Sequence, residues 1–476
     1  MRRRFWALAV LALLIYAVIA ITSSGGIKPP PPARDAAGAG PNPGAPFAYR
    51  AADATAFTRR VTLGESQVLF TLSPGGVMAT AARVAAFRGL IDKAVKGTNI
   101  PANLLEGLVF LESAGRPQVI AGNSASDAAG LTQILASTGK QMLALKIDLP
   151  RSERLTGQIA TAQAAGNTRR VAELEQQRAK IDQRFDPAQA LAATVRYLRT
   201  AEASLGGRAD LAVAAYHAGI GNLEQILDLY DGGRAVPYVQ LYFDSSPTSN
   251  AAAYRALIGL TDDGSLYYWR VLAAERIMRL WRTDRAALKR WVSESTGYPS
   301  TALTLVSTGP ADSFATPAQV GDAYWAKPHA QLQPLPRNAG ALRLEYAPSI
   351  GALATKLGAP KAIYRGLRPV AVRMLIQMVA WVDQIAKTKA PLIVASAVQD
   401  PEYSALQGFS DDPPAATGYT FEIERYYATE AQREAFQFVL DRLQDLNLIA
   451  WLRGSTQIEI TVAPDAGSVI AHGIRN

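Results

Sequence analysis

The chain has no cysteine and only three histidines, His217, His329 and His472, spread over 476 residues. Lack of cysteine excludes a disulfide framework, thiol chemistry and a lipid-modified cysteine anchor. It is compatible with an oxidising exterior without requiring one. Three scattered histidines argue against a histidine-based metal site, so neither a metal nor a cofactor is expected. Basic runs are scarce too. Arg2-Arg3-Arg4 is the one basic cluster, so the net charge of +9 suits a diffuse acidic surface better than nucleic acid.

Those arginines precede the eighteen uncharged residues Phe5 to Thr22. At about 1.5 Å per residue such a helix spans about 27 Å, enough for a bilayer core. The positive end stays cytoplasmic, so residues 1–24 read as a transmembrane anchor with everything after them outside. A cleaved signal peptide is the competing reading, because Val18-Ile19-Ala20 is a tolerable small-residue site. Residues 25–76 read as a linker, opening with a Pro-, Gly- and Ala-rich spacer from Ile27 to Pro46 that is expected to be extended and semi-rigid. Within it, residues 56–72 are expected to form a short hairpin from Phe57-Thr58-Arg59-Arg60-Val61 and Val68-Leu69-Phe70. From Val77 to about Trp291 the pattern is mostly helical.

In that helical stretch Glu112 follows Leu105, Leu108 and Val109 by seven, four and three residues. This spacing puts a carboxylate on the apolar stripe of a helix, whereas Glu106 falls well round from it. A buried carboxylate either finds a partner or raises its pKa until it keeps its proton. Protonated at neutral pH, it is a general acid. The plainer reading is a helix-end glutamate reaching for solvent just before Gly115 and Pro117.

Three short signatures follow in order: Glu112-Ser113, Gly130-Leu131-Thr132-Gln133, and Ala215-Tyr216-His217-Ala218-Gly219-Ile220-Gly221. Asp186-Pro187 and Tyr197-Leu198 lie between the last two. The ordered set resembles the lytic transglycosylases of the soluble Slt type, which share a fold with goose-type lysozyme. Their patterns read Glu-Ser, Gly-Leu-Met-Gln and Ala-Tyr-Asn-Ala-Gly-x-Gly. The resemblance covers roughly residues 78–290 and implies an all-α, lysozyme-like catalytic domain over 77–292.

The resemblance also implies a mechanism that needs one carboxylate. Glu112 protonates the glycosidic oxygen between N-acetylmuramic acid and N-acetylglucosamine in peptidoglycan, while the substrate's own N-acetyl oxygen shields the cationic C1. The Glu112 carboxylate then deprotonates the muramic C6 hydroxyl, and a 1,6-anhydro ring closes without water. Most retaining and inverting glycosidases use two carboxylates. No convincing second one is found: Asp127 lies in a Ser/Asn/Gly-rich loop, and Asp186 suits an N-cap ahead of Pro187. Substrate-binding roles are implied for Ser113 beside the acid, for Thr132 and Gln133 along the cleft, and for Tyr216, which would bring its phenol to Glu112. Tyr267 resembles the tyrosine that closes the family's groove. Thr132 stands where methionine is usual, and His217 where asparagine is. His217 still offers a hydrogen bond but adds a titratable charge, so it is read as substrate-binding and not as catalytic.

Three further segments stand apart. Residues 151–184 carry Leu155, Ile159, Val171, Leu174 and Ile181 at helical spacing around Gly166-Asn167, which predicts an inserted helical hairpin. It reads as a solvated spacer, a wall of the glycan groove or a docking arm. Residues 293–337, with Pro310, Pro317, Pro328, Pro334 and Pro336, read as an interdomain linker. Residues 338–476 read as an α+β domain, with helices Val370–Thr388 and Thr429–Leu446 and strands Pro391–Val398 and Gln457–Val462.

That last order resembles the zinc D-Ala-D-Ala carboxypeptidases related to the Hedgehog signalling domain. Ser396-Ala397-Val398-Gln399-Asp400 sits where they have Ser-Gly-Tyr-Arg-Ser, and Thr417 to Glu422 falls within their His-x-x-Gly-x-Ala-x-Asp. The ligand and base positions are Ala415, Glu422, Glu459 and Thr456, which do not supply a zinc site. The domain therefore reads as a degenerate peptidase fold, kept as a cleft for stem peptides, as a brace, or as a plain structural domain.

The expected whole is multidomain: an all-α lysozyme-like catalytic domain plus a C-terminal α+β domain, exported to the cell envelope and either membrane-anchored or secreted. Its expected partners are peptidoglycan glycan strands, with stem peptides as a further ligand, and the membrane through the N-terminal helix. Two other functions compete. One is a non-catalytic wall-binding or scaffold protein, with Thr132, His217 and Ala415 marking decay; the other is a hydrolytic muramidase on the same fold.

Overall fold

The computed structural model describes residues 47–261, 264–306, 313–326, 331–408 and 413–467. The expected anchor or signal peptide, and nearly all of the Pro-rich spacer, lie outside the described residues. Among the described residues no single helix is long and apolar enough to cross a membrane. The described chain divides into two compact units. The first holds Glu65–Ser245 and Asn250–Val292; the second holds the residues up to Gly64, Ser246–Ser249 and everything from Ser293 on.

Helix α1, Ala54–Leu72, occupies the segment expected to be a hairpin. The β-branched residues Thr58, Val61, Thr62 and Val68 favour a strand reading. The burial pattern overrules them: Val61, Glu65, Ser66, Leu69 and Phe70 are buried, a spacing with the period of a helix and not of a strand.

In the first unit the helices that frame the site are α2 (Val77–Ala85), α3 (Arg88–Val95), α4 (Ala102–Ser113), α5 (Leu149–Ala164), α6 (Thr168–Ile181), α7 (Pro187–Ser204), α8 (Ala209–Ala218) and α9 (Tyr267–Thr283), with further helices among them. Helix α4 runs through the core, where Leu105, Leu108, Val109 and Phe110 share a cluster with Val271, Ala274, Ile277 and Met278 of α9. Gly107 sets how closely the two helices approach. A Cβ there would lie 2.9 Å from the Val271 carbonyl oxygen, so only glycine fits without moving backbone. Helix α4 stops directly after Ser113 because Ala114 turns left-handed (φ 53) and its carbonyl accepts from Arg83 Nε at 2.9 Å.

Glu106 lies well round the helix from Glu112, as the spacing gives, yet it is fully buried, because α4 is enclosed on nearly every side. Its carboxylate meets Arg88 at 3.1 Å and also pairs with Arg282 of α9.

Helices α5 and α6 form a helical hairpin. Asp148 caps α5 through the Arg151 amide, and Asn167, following Gly166, caps α6 through the Arg170 amide. Leu155, Ile159, Ala162 and Leu174 form its own apolar seam, flanked by Val171 and Ile181. Asp186 caps α7 through the amides of Ala188 (2.9 Å) and Gln189 (3.2 Å), with Pro187 in the first turn.

The second unit is built on a five-stranded sheet: β2 (Leu344–Tyr346), β4 (Leu392–Ser396), β5 (Thr420–Glu424), β6 (Ile449–Arg453) and β7 (Gln457–Val462), in the order β2-β4-β5-β7-β6. Only β2 and β4 pair in parallel. Phe421, Ile423, Ile458 and Ile460 are buried on one face, towards helices α10 (Pro369–Ala386) and α11 (Glu430–Asp445). Alternation puts Glu422 and Glu459 on the other face, directly opposite one another across β5 and β7. Ala415 sits buried in a short 3-10 turn, and Thr456 precedes β7 with its carbonyl accepting the Arg425 amide. Among the described residues no group of three or more His, Cys, Asp or Glu side chains can hold a metal ion.

The segment read as a linker is corrected where it is described. Residues Thr301–Val306 and Pro317–Trp325 are helical, and the two-residue strand β1, Gln333–Pro334, pairs with β3, Gly366–Leu367. Phe314, Val320, Tyr324 and Leu332 join a core with Tyr364 and Tyr403. Pro317 misled because proline also opens helices: Thr316 caps the Gln319 amide at 3.3 Å, and Pro317 takes the first turn.

Candidate active site

Four of the seven residues singled out in the sequence come together at the end of α4. The close approach permitted by Gly107 brings the N-terminus of α9 beside the last turn of α4, and there the Tyr267 hydroxyl donates a hydrogen bond to Glu112 Oε1. Burial raises the Glu112 carboxyl to about 7, and the Tyr267 bond offsets part of that rise. Tyr267 is itself pushed well above the usual tyrosine value, first by burial and then by the nearby Glu112 charge, so it stays a donor. His217, exposed at the end of α8, stacks on the Tyr267 ring with centroids 5.0 Å apart and planes 13° apart.

Tyr216 lies close enough for the Glu112 charge to raise its phenol, after burial has done so. It does not bond the acid, however. Its hydroxyl donates to the Thr132 carbonyl at 2.7 Å and lies 3.2 Å from Thr194 Oγ1. The phenol on Glu112 is that of Tyr267, not Tyr216. Thr194, near the middle of α7, carries no motif, and sequence reasoning missed it.

The remaining three residues serve the framework. Ser113 is fully buried, with its hydroxyl on the Val109 carbonyl at 3.3 Å, so it braces the helix end and does not reach outward for a sugar. Thr132 is also fully buried, and its contribution to the site is the carbonyl that holds Tyr216. Gln133, in left-handed conformation (φ 49), spends its side-chain amide on the carbonyls of Gly130 (2.8 Å) and Val119 (3.2 Å). Its Oε1 is buried and has no hydrogen-bond partner among the described residues.

The other carboxylates have other tasks. Asp127 accepts the Ser124 amide at 3.1 Å, Asp186 caps α7, and Glu65 pairs with Arg270 at 2.6 Å. What the arrangement offers is one carboxyl with its pKa near neutrality, held by a neutral donor, so it can give a proton and take one back at physiological pH.

Comparison with known proteins gives a match over part of the chain. No curated protein matches it. The family model of the transglycosylase SLT domain matches residues 158–232, a span that includes Asp186-Pro187 and the Ala215–Gly221 signature, while Glu112 and the Gly130–Gln133 turn precede it.

Proposed function

We propose that the chain is an extracytoplasmic lytic transglycosylase that cleaves the glycan strands of peptidoglycan, with Glu112 as both acid and base. The observation that carries this reading is the carboxyl of Glu112, raised to about 7 by burial and bonded by Tyr267. In the first step Glu112 gives its proton to the glycosidic oxygen, and the bond to C1 of N-acetylmuramic acid breaks. The substrate's N-acetyl oxygen supports C1 in place of a protein nucleophile. In the second step the Glu112 carboxylate takes the proton of the C6 hydroxyl, whose oxygen closes on C1 to give the 1,6-anhydro product. Tyr267 steadies the carboxylate formed between the two steps, because a hydrogen bond to a charged oxygen is stronger than one to a neutral oxygen. His217, stacked on that ring at the open side, lies where it would meet the substrate.

The SLT match supports peptidoglycan as the substrate class, and the uncharged run after Arg2-Arg3-Arg4 supports export and anchoring. The C-terminal sheet, with Glu422 opposite Glu459, is read as a non-zinc accessory unit for the wall's stem peptides. The purified chain should clear a suspension of peptidoglycan sacculi. Binding without clearing would mean a scaffold instead.

A further inference from the structure

The hairpin α5–α6 contributes no residue to the contacts around Glu112, yet its base is tied tightly to the loop that carries the second signature. Glu153 of α5 accepts the Ala125 amide at 2.5 Å and the Ser124 hydroxyl at 3.3 Å. Arg178 of α6 donates to the Gln118 carbonyl at 3.1 Å and to its side chain at 3.0 Å, and lies over the Phe185 ring at 3.7 Å. Between these ties, Ser152 donates to Asp182 at 2.8 Å, and Asp182 pairs with Arg184 at 2.7 Å, both ends of that pair being fully buried. Arg184 then spans the loop, donating to the carbonyls of Ala125, Asp127 (2.9 Å) and Ile134 (3.3 Å). Backbone packing completes the fit: a Cβ on Gly130 would fall 1.8 Å from the Arg184 carbonyl oxygen.

The path ends at the active site. The loop held in this way presents the Thr132 carbonyl to Tyr216, whose phenol feels the Glu112 charge. A spacer with a thin apolar seam has no need of these ties. We infer that the α5–α6 hairpin is a positioning element for the 118–134 loop, with Glu153 and Arg178 as its two outer clamps. Its loss should then loosen the loop and, through the Thr132 carbonyl and Tyr216, disturb the setting of Glu112.

The catalytic part of this inference rests on the proposed function, so the test has an arm that does not. Glu153 is solvent-exposed, and Glu153→Ala should lower the thermal midpoint by only a few degrees, about one hydrogen bond, and leave the chain folded. Hydrogen exchange across residues 118–134 should accelerate in Glu153→Ala. It should return to the native rate in Glu153→Gln, whose side-chain oxygen still accepts from the Ala125 amide. In turnover of sacculi, kcat for Glu153→Ala should fall about 5- to 10-fold, the size of one lost hydrogen bond, and Glu153→Gln should restore it. KM should change less than kcat, because Thr132 and Gln133 serve the framework of the loop. Native exchange in Glu153→Ala, or native kcat, would overturn the inference. So would equal loss in Glu153→Gln, because charge would then be acting in place of the hydrogen bond. A wild-type chain that fails to cleave peptidoglycan defeats the functional reading alone, and exchange in Glu153→Ala and Glu153→Gln still decides the role of the hairpin.

Discussion

Two glutamates on one helix meet opposite fates. Glu106, near the middle of α4, is fully buried, and Arg88 and Arg282 balance its charge, with Asn103 Oδ1 accepting from both guanidiniums at 2.9 Å. Glu112, six residues on, has no guanidinium bonded to it among the described residues and receives a neutral phenol from Tyr267. The helix and the residue type are shared, while Glu106 is fully buried, Glu112 half-buried, and their partners differ. Cations fix a carboxylate in its charged form and make it framework, whereas a neutral donor in a buried setting leaves the proton negotiable. Burial alone does not decide what a carboxyl can do; its hydrogen-bond and charge partners do, and Asp400, fully buried beneath the Tyr364 phenol, serves as a helix cap.

The comparison can be broken at either end, and the largest effect is expected at Glu112. Glu112→Gln keeps size and hydrogen bonding but removes the transferable proton. General acid–base catalysis is worth about 10²–10⁴-fold per step, and one residue serves two steps, so clearing of sacculi should fall to background with the fold intact. Glu106→Ala should do the reverse. It leaves Arg88 and Arg282 facing a vacated site and should cost on the order of 3 kcal/mol in denaturant unfolding, reduced somewhat because both arginines are partly exposed. Per folded molecule, its activity and pH profile should match wild type.

Tyr267→Phe sharpens the contrast. It removes the bond that holds the Glu112 pKa down, so the alkaline limb of kcat/KM, expected near pH 7, should move to higher pH. The rate at low pH should drop about 10- to 100-fold, since a hydrogen bond to a developing charge is lost. The smallest effect is on stability. The folded-state pKa of Glu112 is about 7 against an ordinary 4.5, so between those values the folded chain holds more proton than the unfolded one. Stability conferred by the protonated form is complete below about pH 4.5 and is lost as pH rises through 7. Glu112→Gln should therefore raise the thermal midpoint by several degrees at pH 8 and leave it unchanged at pH 4.

Much of the site was legible because short signatures with helical spacing survive as local patterns. Glu112, Tyr216, His217 and Tyr267 could be named from the sequence, and so could the Asp186 cap. The partnerships could not, since they depend on how helices meet. Tyr267 reaches Glu112 only because Gly107 lets α9 approach α4, a contact across more than 150 positions, between Tyr267 and Glu112 themselves. Ser113 and Thr132 sit in signatures yet point inward, which no pattern of neighbours reveals. Glu106 misled because hydrophobic periodicity assumes one wet face, and α4 has almost none. Other signals misled elsewhere: β-branched residues suggested strands in α1, where burial follows a helical period, and Pro317 starts a helix in what read as a linker.

The central claim is that one carboxyl acts as both acid and base on a substrate that supplies its own nucleophile. Mass spectrometry of the released muropeptides tests it most directly. If the C6 hydroxyl attacks C1, the products end in 1,6-anhydro-N-acetylmuramic acid and are about 18 Da lighter than hydrolysis products, the mass of one water. Products with free reducing ends would contradict the claim, because water would then be the nucleophile and a second carboxylate would have to activate it.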